Sequence, residues 1–264
     1  PPKEVATLWR LFDLSSGYRL DSTVPFPYFR RWLWPSVQRL RAPSHPRDAL
    51  APVVWVGSNC AAWTDRLAYI EELMRHVPVH SYGRCLNNRP WPKDAAGADV
   101  SLHTLLLPYK FYLAFENSNC LDYCTEKLYH AYILGLVPVV MGCKGLRDFF
   151  QPAMLSAIHV DEYPDARRLG QHLLRLHHNA AEYEAYHMWR TDAALVSSVF
   201  LRLWNGTAPS YECRLCAAVR QFQDQYHKHP LMGSVVNPDF SCEYSSDLYA
   251  ERCAQYPQHP SCVL

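Results

Sequence analysis

Residues 109–142, YKFYLAFENSNCLDYCTEKLYHAYILGLVPVVMG, decide the fold of this chain because they hold two strand patterns and one helix pattern. The apolar run Phe111–Phe115 predicts a buried strand, and Glu116–Cys124 predicts a polar loop. The helical spacing of apolar residues that follows ends at Gly135, a residue that commonly terminates helices. Val137–Met141 predicts a second buried strand. The stretch therefore predicts one β-α-β unit.

The polar loop of this unit leads directly into the first turn of the predicted helix. Backbone N–H groups at a helix N-terminus are not used inside the helix, and the helix dipole favours negative charge there. The sequence therefore predicts an anion site, above all for phosphate, where this loop meets the helix.

A second β-α-β unit precedes the first along the chain. Pro52–Gly57 predicts a buried strand, Ser58–Asp65 a polar loop, Arg66–His76 a helix and Val79–Tyr82 another strand. Alternating strands and helices are typical of a parallel, doubly wound sheet, so we expect the α/β class. Downstream, the pattern predicts a strand at 157–160 and helices at 163–178, 180–203 and 213–226.

The two strand-to-helix loops carry residue types that suit a nucleotide. A cation and a helix N-terminus suit a diphosphate, a carboxylate suits ribose hydroxyls, and an aromatic ring suits the base or sugar. The alternative is that the charged residues are ordinary first-turn residues on a solvated face. The candidates are Ser58, Asn59, Arg66, Glu116, Asn117, Ser118, Tyr123, Glu126 and Lys127.

Composition argues against some classes of partner. With 26 basic and 25 acidic residues the formal net charge is +1, so no overall field favours nucleic acid or an anionic membrane. The longest apolar run, Ala131–Cys143, is too short to cross a bilayer. Since the sequence starts at Pro1 without Met, we interpret it as a fragment and expect any membrane anchor outside it.

Ten cysteines and the sequon at Asn205 favour the secretory pathway. The Cys213-x-x-Cys216 motif allows a redox or zinc site, but a structural disulfide is the favoured interpretation. The sequence has no Asp-x-Asp motif that would hold a divalent ion against a sugar-nucleotide diphosphate, and no histidine spacing typical of zinc. We therefore predict no metal site.

With these motifs in view, the sequence resembles the α1,3-fucosyltransferase family, which uses GDP-fucose. The block 111–142 is similar to the family's most diagnostic segment, and the resemblance covers roughly residues 10–225. Shorter similarities lie at Tyr18–Ser22, at Ser58–Cys60 with Arg66, and at Tyr82–Cys85.

The resemblance implies the GT-B fold, in which two Rossmann-like domains face each other and the C-terminal one holds the donor nucleotide. We accordingly expect residues 1–50 to be the end of an acceptor domain and a linker, 51–229 to be the GDP-fucose-binding domain, and 230–264 to be a cysteine-bearing tail. It also implies an inverting transfer that requires no cofactor, with a divalent cation at most stimulatory.

The resemblance also implies roles for individual residues. Arg66 and Lys127 should be catalytic by neutralising the β-phosphate as GDP leaves, because preplaced cations stabilise developing charge. Glu126 should accept hydrogen bonds from sugar hydroxyls, and Tyr123 should pack on the nucleotide. The full donor-binding set that we expect is Asn59, Arg66, Tyr82, Glu116, Asn117, Tyr123, Glu126 and Lys127.

The family's general base is a glutamate of the first domain, which the resemblance places upstream of residue 1. The nearest acids here, Asp13 and Asp21, do not match its motif, so we expect the chain alone to bind donor poorly or to be inactive. Cys124 and Cys143 depart from the family pattern, flank the donor loop and are interpreted as potential free thiols.

The acceptor substrate is inferred from shorter similarities than the donor is. Tyr82–Arg89 and Cys213–Cys216 look closest to the branch that transfers fucose to O3 of the innermost GlcNAc of glycoprotein N-glycans, in the Golgi lumen, as a type II membrane protein when full length. A Lewis-type enzyme acting on N-acetyllactosamine is the runner-up. A transferase with another sugar-nucleotide donor, or an inactive, secreted, disulfide-rich binding homologue, are the remaining alternatives.

Overall fold

A computed structural model describes residues 14–28, 51–145, 155–196, 198, 210–228 and 242–243. The strands are β1 (Ser16–Gly17), β2 (Val24–Pro25), β3 (Val53–Gly57), β4 (Val79–Gly83), β5 (Phe111–Phe115), β6 (Asn119–Cys120), β7 (Val137–Met141), β8 (Ile158–His159) and β9 (Cys242–Glu243). The α-helices are α1 (Arg66–Leu73), α2 (Leu102–Leu106), α3 (Glu126–Leu134), α4 (Ala166–His178), α5 (Ala180–Ala185) and α6 (Tyr211–Lys228).

The central sheet has five parallel strands in the order β4-β3-β5-β7-β8, which confirms the predicted parallel α/β architecture. The chain runs outward from β3 to β4 and then returns to the other side of β3 to form β5. This reversal is a topological switch point, and in open α/β sheets ligands bind in the crevice at the carboxyl ends of the strands there. We therefore expect a ligand crevice beside the loops that follow β3 and β5.

Helices cover both faces of the sheet. On one face, α1 and α4 bury Ile70, Leu73 and Leu169 against Trp55 of β3 and its neighbours. On the other face, α2 and α3 bury Leu106 and Ala131. Burial on both sides explains why the sheet strands are continuous apolar runs rather than alternating patterns.

The unit at 109–142 forms as predicted. Helix α3 ends at Leu134 and is capped by Gly135, whose φ of 70° lies in the left-handed region that favours glycine. The N–H of Leu136 then donates to the Ala131 carbonyl at 2.9 Å, and the chain enters β7 in register with β5. A local sequence signal is enough here because the turn is set by one residue.

The helix predicted over 180–203 is wrong in its described part. Helix α5 stops at Ala185, and short 3-10 turns follow at Met188–Arg190 and Ala193–Leu195. The Trp189 ring packs edge-on against Tyr132 at 5.3 Å between centroids, and Arg190 Nη1 donates to the Tyr132 carbonyl at 2.9 Å. The helical spacing of apolar residues continues through this segment, but the contacts with α3 end the helix and turn the chain.

Smaller corrections concern element ends. Helix α1 ends at Leu73 instead of His76, and α4 begins at Ala166 instead of Tyr163. The tail predicted to be irregular contributes β9, which pairs antiparallel with β6. The rest of the tail and Asn205 lie outside the described residues, and the division into three segments stays a prediction.

The cysteine predictions are corrected in two places. Cys124 and Cys143 form a disulfide instead of remaining free thiols, since the loop after β5 and the end of β7 bring their Cα atoms to 4.7 Å. Cys213 and Cys216 are exposed free thiols on α6. Residues three apart on a helix have Cβ atoms about 5–6 Å apart, which exceeds the roughly 4 Å that a disulfide needs.

Two further cysteines, Cys60 and Cys85, are joined, and Cys120 is also disulfide-bonded. In the described part of the chain, no helix is both long and apolar enough to cross a bilayer.

Candidate donor site

The loops at the switch point are bonded to each other. The N–H of Trp63 donates to the Asn117 carbonyl at 2.8 Å, and Thr64 Oγ1 donates to the Glu116 carbonyl at 3.2 Å. These hydrogen bonds join the loop after β3 and the loop after β5 into one wall at this edge of the sheet. The structure thus brings together the two loops that the sequence singled out.

Arg66 lies beneath this wall, with only 2% of the residue exposed. Its Nη1 donates to the Phe115 carbonyl at 2.9 Å and its Nη2 to the Asn59 carbonyl at 2.7 Å. Its Nε is buried and has no hydrogen-bond partner among the described residues, and burial lowers the pKa of the guanidinium. Arg66 thus ties the end of β5 to the first loop, and its phosphate contact stays a prediction.

Asn59 and Asn117 stabilise the two loops mainly through their backbone carbonyls, which accept from Arg66 and Trp63. The Asn59 side chain is committed to its own loop, because Oδ1 accepts from the Ala61 N–H at 3.0 Å. Asn59 is itself exposed, whereas Asn117 is half-buried and gives its carbonyl to Trp63. A direct donor contact by either amide is untested.

Glu116 is a buried carboxylate under the N-terminus of α3, with 1% of the residue exposed. It accepts from the Thr125 N–H at 2.7 Å and from Thr125 Oγ1 at 2.8 and 2.9 Å. Burial raises the pKa of Glu116, against the opposing effect of the nearby Lys127 ammonium. The side chain is thereby enclosed by the protein.

The Lys127 ammonium lies at the first turn of α3, between two carboxylates. It donates to Thr125 Oγ1 at 2.7 Å, to Glu116 Oε2 at 3.1 Å and to Glu126 Oε1 at 3.1 Å. The Glu126 side chain is 53% exposed, whereas that of Glu116 is 1% exposed. Although burial opposes it, the Lys127 charge lowers the pKa of Glu126. One of the two carboxylates on Lys127 is thus buried, and the other is open to solvent.

Tyr123 and its loop contact the N-terminal segment 14–28. The Tyr123 ring lies 5.0 Å from Tyr18 and 6.1 Å from Tyr28 between centroids, edge-on in both cases. Asp122 Oδ2 accepts from the Leu20 N–H at 3.1 Å. Burial raises the pKa of Tyr123 to about 12. The ring therefore lies where the two segments meet, and packing on a nucleotide stays a prediction.

Tyr82 is buried away from this network. Its hydroxyl is 2.8 Å from the Tyr109 hydroxyl, and its ring packs edge-on against Trp91. Tyr82 and Tyr109 belong to the core on the side of the sheet that α2 and α3 cover. These contacts give Tyr82 a packing role, and the structure adds no support for donor binding.

Asp21 is an unsuitable general base. Its carboxylate forms an ion pair with Arg19, and the hydrogen bond from Arg19 lowers the pKa of Asp21. A carboxylate held in its ionised form by a cation is a weak proton acceptor. Asp13 lies outside the described residues.

Disulfides anchor both loops. The Cys60–Cys85 bond ties the first loop to the segment after β4, and the Cys124–Cys143 bond ties the start of α3 to the end of β7. The Cys124–Cys143 bond had no local signal in the sequence, because the sheet alone brings these two cysteines together.

Thr125 is a residue of the site that was absent from the predicted set. A threonine directly before a helix that begins with Glu is a typical N-cap signal, so this residue could have been found from the sequence.

The described residues contain no group of three or more His, Cys, Asp or Glu side chains that could hold a metal ion. That observation leaves the predicted independence from metal untested.

The sequence matches the model of glycosyltransferase family 10 (fucosyltransferase), C-terminal domain, over residues 47–234. Chicken (Gallus gallus) GDP-fucose protein O-fucosyltransferase 3 is 38% identical over 189 residues, which cover 66% of this chain and 40% of the relative. The Danio rerio protein of the same name is 38% identical over 192 residues, covering 67% and 42%. The chain thus spans about 40% of the length of these relatives.

A crystal structure of an α1,3-fucosyltransferase with GDP-fucose superposes with a TM-score of 0.59 at 19% identity, covering 88% of this chain and 72% of that one. The corresponding structure with GDP gives 0.58 at 21% identity, covering 82% and 71%. This likeness confirms the predicted GT-B-type fold class. Together with the family match, it shows that the chain belongs to glycosyltransferase family 10, the fucosyltransferases, and contains the family's C-terminal domain.

Proposed function

We propose that this chain is the donor-binding part of an enzyme that transfers fucose from GDP-fucose to a protein. The observation that carries the proposal is the Lys127 ammonium at the N-terminus of α3, beside the switch point. A helix N-terminus and a fixed cation together match the charge of a nucleoside diphosphate. Membership of the fucosyltransferase family supports fucose as the transferred sugar.

The exposed carboxylate of Glu126 is the partner of Lys127 that the donor displaces. The Lys127 ammonium is bonded to Glu116 and Thr125 on its buried side and to Glu126 on its solvent side. An arriving β-phosphate replaces Glu126 on the ammonium, and Glu126 is then available to accept hydrogen bonds from sugar hydroxyls. The cation keeps its position during this exchange, because its buried partners do not change.

In the transfer step, the acceptor hydroxyl oxygen attacks C1 of fucose and the bond from C1 to the β-phosphate oxygen of GDP breaks. The acceptor proton goes to a general base, which we place in the facing acceptor domain. GDP leaves with the bonding electron pair, and Lys127, the α3 N–H groups and Arg66 stabilise the added charge.

For the acceptor, we favour a hydroxyl of a protein. The curated relatives are called protein O-fucosyltransferases, and they match at 35–38% identity, above the 19–21% of the α1,3-fucosyltransferase structures. These names lend no support to the core GlcNAc of N-glycans that the sequence suggested. The disulfides within the donor domain support folding in the secretory pathway, and we retain the Golgi lumen as its location.

Calorimetric titration of the full-length enzyme with GDP, GDP-fucose and UDP tests the donor assignment. We expect GDP and GDP-fucose to bind and UDP to bind at least tenfold more weakly. A preference for UDP, or no binding of any nucleotide, would contradict the proposal.

The acceptor is tested with the full-length enzyme and GDP-fucose. A folded secreted protein domain and a GlcNAc-bearing N-glycopeptide are offered in parallel, and the fucosylated atom is located by mass spectrometry. We expect fucose on a protein hydroxyl. Fucose found only on GlcNAc would return the assignment to N-glycan fucosylation.

A further inference from the structure

We propose that Glu116 is a positioning residue that holds Lys127 at the donor site, acting together with Thr125, and that it does not contact the donor. This inference rests on the proposed function and deepens it. It also replaces the expectation that Glu116 belongs to the donor-binding set.

The first support is the burial of the carboxylate. Glu116 is 1% exposed, and its backbone is fixed on two sides. Its N–H donates to the Met141 carbonyl at 3.0 Å, and its carbonyl accepts from Thr64 Oγ1. A side chain enclosed between β5, β7 and α3 cannot swing out to reach a sugar hydroxyl without unfolding the loop.

The second support is that both carboxylate oxygens already have partners. Oε1 accepts from the Thr125 N–H and hydroxyl, and Oε2 lies within hydrogen-bond distance of the Thr125 hydroxyl and the Lys127 ammonium. The hydroxyl has one proton, which goes to Glu116, so its lone pair accepts from Lys127 at 2.7 Å. Glu116 thus orients the hydroxyl that in turn orients the ammonium.

The third support is the difference between the two carboxylates on Lys127. Glu126 is adjacent in sequence and largely exposed, so its bond to the ammonium is exchangeable. Glu116 comes from the loop directly after β5 and is buried, so its bond persists when a phosphate arrives. Preorganisation of this kind keeps a cation in place without a reorganisation cost during the reaction.

The test is a double-mutant cycle in the full-length enzyme, in which the affinities for GDP and GDP-fucose are measured for Glu116→Gln, Lys127→Met and the double variant. We expect Glu116→Gln to weaken both nucleotides by about the same factor, roughly tenfold, since one charged hydrogen bond is removed. In the Lys127→Met background, Glu116→Gln should change neither affinity by more than about twofold, because no ammonium remains to be positioned.

A ligand role for Glu116 gives a different pattern. It would weaken GDP-fucose more than GDP, and the loss would persist in the Lys127→Met background. A purely structural role would lower the melting temperature and reduce binding equally in both backgrounds. Either result would overturn the proposal.

Thr125 provides a second route in case Glu116→Gln folds poorly. Thr125→Val removes the bridging hydroxyl and keeps the shape, and it should show the same coupling to Lys127. Thr125→Ser keeps the hydroxyl and should restore wild-type affinity within about threefold. Additive effects of Thr125→Val and Lys127→Met would refute the positioning role.

Nucleotide binding by the wild type separates failure of the proposed function from failure of the role of Glu116. If the wild-type full-length enzyme binds no guanine nucleotide, the proposed function fails and the role of Glu116 fails with it. If the wild type binds GDP but the cycle is additive, only the role of Glu116 is wrong.

Discussion

Lys127 serves two purposes at the scale of a single residue. It faces the position proposed for the diphosphate, and it neutralises a carboxylate that is almost completely buried. Removal of one member of a buried ion pair leaves an uncompensated charge, which costs more than the pair contributes. A simple truncation therefore affects both stability and chemistry, and an experiment has to separate them.

Lys127→Ala in the full-length enzyme should lower turnover at least about a hundredfold, in line with the loss of one charge-stabilising group. It should also lower the free energy of unfolding by about 3 kcal/mol, because Glu116 is left unpaired. Turnover is measured on folded enzyme, and stability by urea denaturation. A loss of tenfold or less in turnover would show that Lys127 does not act on the leaving group.

The Glu116→Gln/Lys127→Met double variant is the control for that experiment. It removes both charges together, so stability should recover by most of the loss while turnover stays low. Recovery of turnover along with stability would show that the single variant lost activity through misfolding.

Position 83 requires glycine. Its φ is +96°, and a Cβ there would lie 2.5 Å from the carbonyl oxygen of Gly57. That oxygen also accepts from the N–H groups of Arg84 and Cys85 at 2.9 and 3.0 Å, so it cannot easily retreat. The turn between β4 and the Cys60–Cys85 disulfide depends on this contact.

Gly83→Ala should therefore lower the free energy of unfolding by about 2–4 kcal/mol, from the left-handed backbone and the clash together. Gly97→Ala is the matched control, since its φ is +80° but nothing lies within 4 Å of the added Cβ. It should cost only about 1–2 kcal/mol. Equal losses in urea denaturation would mean that the contact with Gly57 is unimportant.

At the scale of elements, α3 is held at both ends by different means. Its C-terminus is set by Gly135, and its N-terminus is tied to β7 through Cys124–Cys143. The bond closes a loop with a sequence separation of 19 residues, which contains the whole of α3. Its removal should loosen the end of the helix that carries Lys127.

The Cys124→Ala/Cys143→Ala variant should lose roughly 3 kcal/mol of unfolding free energy by loop-closure entropy. It should also bind GDP more weakly, because the donor loop is no longer fixed to β7. Cys213→Ser/Cys216→Ser is the control, since these thiols are exposed and free. The prediction fails if both variants have the same denaturation midpoint and GDP affinity.

At the scale of the whole molecule, several histidines are held neutral in different parts of the fold. Burial, with a nearby positive or histidine group in each case, lowers the pKa of His80, His130 and His172 below the usual value of about 6.5. The unfolded chain binds protons at these rings at a higher pH than the native chain does. The resulting stability is present above pH 6.5 and is lost as the pH falls toward the lowered pKa values.

We therefore expect the free energy of unfolding to be lower at pH 5.5 than at pH 7.5. A fully buried histidine would contribute at most about 1.4 kcal/mol over this range, and these partly exposed rings contribute less because water screens the added charge. Denaturant titrations at the two pH values measure the change. His130→Gln should reduce it, and an unchanged difference would show that His130 is not involved.

The β-α-β unit at 109–142 and the position of Gly135 could be predicted from residue patterns alone, because strand and helix periodicity and a left-handed cap are local properties. The resemblance to the family added the loops of the candidate site and its candidate cations, Arg66 and Lys127.

The packing of strands and helices turns Glu116 into the interior, where it bonds to Lys127, and places two carbonyls within reach of Arg66. It likewise decided that Cys124 pairs with Cys143 and that Trp189 interrupts a helical pattern. Each of these outcomes depends on a partner from another strand or helix. Residue patterns along the chain do not encode which partner the sheet order will bring within hydrogen-bond distance.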